Sequence, residues 1–153
     1  EKVEDAMFIL HHHHFAVQLY EQALKAAVLT GTKQYVMLGA GMDSFAFREK
    51  KFLSKHRVFE VDHPLTQADK WKRITRTGWT VHENLAFVTV DFTKDNVTEC
   101  LITAGFDPSV KSFFFMAVEP DDIQKDIIDK AGADMKAFEH VNYCLAVRKD
   151  EIL

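Results

Sequence analysis

Gln34-Tyr35-Val36-Met37-Leu38-Gly39-Ala40-Gly41-Met42-Asp43-Ser44 is the stretch that decides how this chain folds. An apolar run of strand length passes directly into a turn that carries a pair of glycines. Gly39 permits the tight bend, and Gly41 lets a ligand approach the main chain closely. About twenty residues further on, Phe59-Glu60-Val61-Asp62 places acids at the end of a second apolar run. In an α/β sheet such an arrangement cradles the nucleoside end of a cofactor, with the terminal acid accepting from ribose hydroxyls.

The residues around the glycines narrow the cofactor. A dinucleotide fingerprint requires a third glycine at position 44, where the chain has Ser44. A pyrophosphate also favours a neutral or positive rim, yet Asp43 lies inside the turn. S-adenosyl-L-methionine has no phosphate and carries a sulfonium and an ammonium, so an acid there is compatible with it. The expected cofactor contacts are Gly39, Ala40, Gly41 and Asp43 in the turn, with Glu60 and Asp62 on the next strand. Glu60 and Asp62 are two apart and share a sheet face. Asp62, the more terminal, overhangs the crevice; the competing reading makes both acids surface groups at an exposed strand end.

Composition sets the outer bounds. The chain has 153 residues, one domain's worth, and at 47% hydrophobic and 27% charged it lies in the globular range. A net charge of −4 argues against a nucleic-acid partner, which would want a basic face. Lys70, Lys72, Arg73 and Arg76 read as the solvated side of a helix. No apolar run reaches the roughly 18 residues of a membrane span, and no signal-peptide pattern opens the sequence. Cys100 and Cys144 read as small buried hydrophobes in a reducing compartment, so cytoplasm is the expected location.

Periodicity gives the order of elements. Phe15–Leu29 is helical, with apolar residues at i, i+3, i+4 spacing and Gly31 as its stop. Strands are expected at Tyr35–Leu38, Val58–Val61, Leu85–Val90 and Lys111–Val118, with a short helix or turn at Ser44–Lys51. Pro64 opens a helix to about Thr77 that carries Leu65, Ala68, Trp71 and Ile74. Thr93 caps a helix ending at Gly105, and Pro120 opens another ending at Gly132. The last strand, His140–Arg148, alternates strictly, which fits an antiparallel or edge strand. The fold expected is α/β: a mostly parallel, doubly wound, Rossmann-like sheet with an antiparallel last strand. One domain covers 1–153: an N-terminal helical part over 1–33, a cofactor-binding half over 34–118, and a C-terminal helix and strand over 119–153.

Other constellations each carry two readings. Asp91-Phe92 ends the third strand, where a carboxylate and a flat ring can take the adenine amino group and one face of the base. Alternatively Asp91 or Thr93 caps free amides at a helix start. Arg48 can reach a carboxylate or stand in solvent. The run His11–His14 cannot place more than two imidazoles on one helix face, so no metal is assigned. There is no G-x-S-x-G elbow, and no catalytic residue is named.

Residues 34–44 followed by Phe59-Glu60-Val61-Asp62-His63-Pro64, and then Lys70, resemble the leucine carboxyl methyltransferase family. The tail His140-Val141-Asn142-Tyr143-Cys144-Leu145-Ala146-Val147-Arg148-Lys149 is similar to that family's closing strand. The resemblance implies a class I S-adenosylmethionine-dependent methyltransferase. In it Gly39 and its turn pack on the cofactor, Asp62 holds the ribose, and Asp91-Phe92 meets the adenine. It further implies O-methylation of a small molecule or of a protein terminal carboxylate. An NAD(P)-dependent oxidoreductase and a non-catalytic cofactor-binding domain are the alternatives. Family members carry an arginine before the first strand, where Phe15–Val28 has none. They are also longer, so this chain is expected to be incomplete, lacking segments near residues 10–11 and 115–118. The sequence leaves oligomeric state and methyl acceptor open.

Overall fold

Five apolar segments pair as the strands of one sheet. The computed structural model describes residues 21–118 and 141–147. The strands are β1 (Gln34–Leu38), β2 (Arg57–Asp62), β3 (Leu85–Thr89), β4 (Ser112–Val118) and β5 (Val141–Val147). Helix α1 is described over 21–29; α2 (Phe45–Arg48) and α3 (Lys50–Leu53) are single turns, followed by α4 (Pro64–Thr77) and α5 (Val97–Thr103). The expected helix from Pro120, the histidine run and residues 15–20 of the first helix lie outside the described residues.

The strand order is β3-β2-β1-β4-β5 and every pairing is parallel. Chain direction across the sheet reverses between β1 and β4, so the glycine turn emerges at the switch point, where open α/β sheets bind ligands. β1 is central and buried at all positions, as its unbroken apolar run requires. The expected antiparallel last strand is corrected: β5 runs parallel to β4, with Ser112 opposite Val141 and Val118 opposite Val147. Its alternation did indicate an edge position, which β5 holds among the described strands. Alternation reports one-sided cover and carries no direction. The 119–140 connection exceeds the dozen or so residues that a parallel crossover needs.

The two sheet faces have separate cores. On one face Tyr35, Met37, Val58, Phe113 and Phe115 pack under Leu24 and Ala27 of α1, Phe45 of α2 and Leu53 of α3. On the other, Val36, Leu38, Phe59, Val61 and Phe114 pack under Val97 and Leu101 of α5. Below the sheet, the buried Gln34 amide donates to the Asp107 carbonyl at 2.7 Å and to Ser112 Oγ at 2.9 Å. Its oxygen accepts from the Asp107 amide at 2.9 Å. This side chain therefore ties β1 to β4 at the end remote from the glycine turn.

Helix α4 departs from its apolar pattern. Its buried residues are Gln67, Lys70 and Ile74, while Leu65 is 75% and Trp71 43% exposed. Lys70 is therefore not on the solvated side with Lys72, Arg73 and Arg76. Helix α5 is capped by Asn96, whose Oδ1 accepts from the Glu99 amide at 3.0 Å, and not by Thr93.

Phe59 has no exposed surface and meets Phe106 edge-on at 5.7 Å, which in turn meets Phe114 at 5.6 Å. Phe59→Ala should destabilise the chain by about 3–5 kcal/mol in urea unfolding. A loss below about 1 kcal/mol would contradict this packing.

Candidate functional site

The turn after β1 is shaped by bonds from its own amides to β2. The Gly39 and Ala40 N–H groups both donate to the Val61 carbonyl, at 2.8 and 3.2 Å. The next amide, of Gly41, donates to Asp62 Oδ2 at 2.6 Å. Gly39 and Gly41 have φ of +72° and +50°, which disfavour any residue with a Cβ. A Cβ at Gly41 would still meet no atom within 4 Å, so the surface in front of the turn is open. The Ala40 side chain, in contrast, points into the core of the α1 face.

Asp62 is fixed twice. Besides Gly41, its other oxygen Oδ1 accepts from the His63 amide at 2.6 Å. A carboxylate offers about four acceptor positions, so two such bonds orient it and leave capacity for a diol. His63 then caps α4, its Nδ1 accepting from Leu65 N at 3.2 Å, and Pro64 occupies the first helical position. Asp43, across the turn, accepts from the Phe45 amide at 2.7 Å and so places a negative charge at the start of α2.

Glu60 lies on the same face as Asp62 but is not a surface acid. It is 1% exposed, opposite Met37 and Phe87 in the flanking strands, and forms an ion pair with the Lys70 ammonium. Its Oε1 has no hydrogen-bond partner. Burial pushes the Glu60 carboxyl up to about 7, Lys70 opposes the rise, and Asp43 and Asp62 add to it. One turn earlier, Gln67 donates to the carbonyls of Glu60 (2.9 Å) and Val88 (3.0 Å) and accepts from Thr89 Oγ1 (2.9 Å). Sequence reasoning missed Gln67 and Lys70 because polar residues on a helix read as solvated. Their spacing with Ile74, three and then four residues, was the available signal.

At the end of β3, Asp91 accepts from the Thr93 amide at 3.0 Å and hydroxyl at 2.6 Å, and pairs with Lys94 at 2.8 Å. Lys94 and Thr93 hold its carboxyl well below the usual carboxylate range. Phe92 is half-buried against the core of the α5 face. Arg48 pairs with Glu21 of α1 at 2.7 Å and bonds Ser44 Oγ at 3.0 Å. Gly39, Gly41, Asp43 and Asp62 thus converge at the switch point, Glu60 sits beneath them, and Asp91-Phe92 ends the strand at the sheet's edge.

A glycine turn followed by an oriented carboxylate at the carboxyl ends of parallel strands is the arrangement with which α/β domains commonly hold nucleosides. The chain belongs to the leucine carboxyl methyltransferase family, whose profile matches residues 9–118. A Bacillus subtilis protein named "Putative S-adenosyl-L-methionine-dependent methyltransferase YktD" is 42% identical over 94 residues, covering 61% of this chain and 31% of that protein. A similarly named Mycobacteroides abscessus protein is 31% identical over 111 residues, covering 68% and 36%. The chain therefore spans about a third of the length of these relatives. A solved structure described as precorrin-6y C5,15-methyltransferase from Geobacter metallireducens aligns with a TM-score of 0.46 at 13% identity, covering 75% of this chain and 53% of that one.

Folding raises the Glu60 pKa from its ordinary 4.5 to about 7. Between those values the folded chain holds a proton that the unfolded chain has lost, so this group's contribution to stability falls as pH rises to about 7. Lys70→Met leaves a buried carboxylate without its cation. It should cost about 3–5 kcal/mol at pH ~8, where Glu60 is ionised, and clearly less at pH ~5.5. Equal losses at both pH values in urea titrations would contradict the pairing.

Proposed function

We propose that this chain forms the S-adenosyl-L-methionine-binding part of an O-methyltransferase. Its acceptor is a carboxylate or hydroxyl oxygen of a small molecule, or a protein terminal carboxylate. The observation that carries this reading is the seating of Asp62: Gly41 and His63 hold the carboxylate while leaving acceptor positions for the two ribose hydroxyls. Family membership and the names of the relatives supply the cofactor's class.

The same turn disfavours a dinucleotide. A pyrophosphate is held by main-chain amides at the turn and at the following helix start. Here the amides of 39, 40 and 41 are directed at β2, and the Asp43 carboxylate takes the Phe45 amide. An anion would meet acids where it needs donors, whereas a cationic ligand meets complementary charge.

When bound, the cofactor supplies a methyl group on a positively charged sulfur, transferred by in-line displacement. The chain's residues would then act by alignment: Asp62 would hold the ribose, the open face of Gly41 would let the ligand lie against the backbone, and Phe92 would offer a flat apolar surface for the adenine. An acceptor carboxylate is already ionised near neutral pH and needs no general base, whereas a hydroxyl acceptor must lose a proton.

Calorimetry should show S-adenosylhomocysteine binding and no binding of NAD. Asp62→Ala should weaken that binding by about 1–3 kcal/mol through lost hydrogen bonds. Binding of NAD alone would overturn the cofactor assignment, and an unchanged dissociation constant in the variant would remove Asp62 from the site.

A further inference from the structure

The buried pair beneath the turn has a position that core packing alone does not explain. Gln67 and Lys70, on the inward stripe of α4, both end on Glu60: one on its carbonyl, the other on its carboxylate. Two residues further along β2 stands Asp62, and its neighbour His63 starts the helix that carries Gln67 and Lys70. The strand end and the helix start thus form one closed loop of contacts, with the ribose-facing carboxylate at its apex. A charge-assisted bond in a buried setting is shorter and more directional than its neutral counterpart. The charge state at position 60 therefore affects how firmly that loop is drawn together.

We propose that Glu60 and Lys70 are positioning residues for the nucleoside site: their ionised pair draws α4 onto β2 and keeps Asp62 seated on Gly41, so cofactor affinity depends on the charge at position 60. The inference rests on the cofactor reading above. Neither residue touches the ligand.

The charged groups facing Glu60 come from each element around it. Lys70 lies on α4, Asp62 at the end of β2 and Asp43 in the loop after β1, while its neighbours in β1 and β3, Met37 and Phe87, are uncharged. His63 stands at the helix start beside Asp62, so a pH effect must be assigned by substitution. The direction expected separates positioning from mere stability. Stability linked to Glu60 falls as pH rises towards about 7. Affinity controlled by the ionised pair rises over the same interval. By reciprocity, ligand binding near pH 7 must then expel a proton from Glu60.

The test is calorimetry with S-adenosylhomocysteine at pH 6 and pH 8, in buffers of different ionisation enthalpy, with circular dichroism to verify folding. Wild-type affinity should rise roughly fivefold or more between the two pH values, with proton release on binding at pH 7. Glu60→Gln, which keeps the shape and removes the charge, should bind at the wild type's pH 6 level throughout and release no proton. Should Glu60→Gln fail to fold because Lys70 is left unpaired, the double variant Glu60→Gln with Lys70→Met removes both charges and should show the same flat, weak profile. Binding that is flat with pH in the wild type, or that keeps its pH dependence in Glu60→Gln, overturns the positioning role and leaves the cofactor assignment standing. An absence of binding at every pH overturns both.

Discussion

A carboxylate at the end of a parallel strand is a directed acceptor when main-chain amides fix its orientation. In this chain two main-chain amides set it: Gly41, from the turn after β1, and His63, from the first step into α4. That bond pair joins neighbouring strands at their carboxyl ends and turns a flexible side chain into a fixed acceptor. The left-handed backbone at Gly39 and Gly41 brings the turn's amides round to face β2. Parallel pairing in turn puts the end of β2 level with the turn, since Leu38 lies opposite Val61. Without that register the amide of residue 41 and the side chain of residue 62 would not meet.

Beneath the clasp, the polarity of the interior is unusual for a strand buried on both faces. Glu60 takes a place where an aliphatic residue would add packing, and it needs a cation from α4 to be tolerated. The helix in turn gives up part of its apolar stripe. Gln67 and Lys70 point inward, and Leu65 and Trp71 are exposed, the latter meeting the Phe87 ring at 4.9 Å with the planes tilted by 53°. Electrostatics at one strand position thus sets the rotation of a whole helix about its axis.

That trade marks where the sequence could be read and where it could not. The continuous run from Tyr35 to Leu38 and the glycines after it announced a central strand and its turn, because burial and backbone conformation leave direct traces in residue type. Helix α4 was legible in its extent, with Pro64 and Thr77 at its ends, yet its inward face was not. Hydrophobic periodicity cannot anticipate a lysine that is buried because it pairs with a glutamate on the strand beneath it. The cap of α5 was ambiguous for a local reason. Thr93 and Asn96 both precede the same apolar run, and Asp91 claims Thr93 for its own turn, which leaves Asn96 to start the helix. Strand direction at β5 was illegible in principle, because alternation is the same read forwards or backwards.

The amide of Gln34 has a mechanical consequence. By locking the base of β1 to the base of β4 and to the chain around Asp107, it closes the sheet at one rim. Strand ends at the opposite rim can then splay or carry altered loops without unzipping the foundation. The foundation of the sheet is thus held by side-chain bonds that no loop at the far rim takes part in.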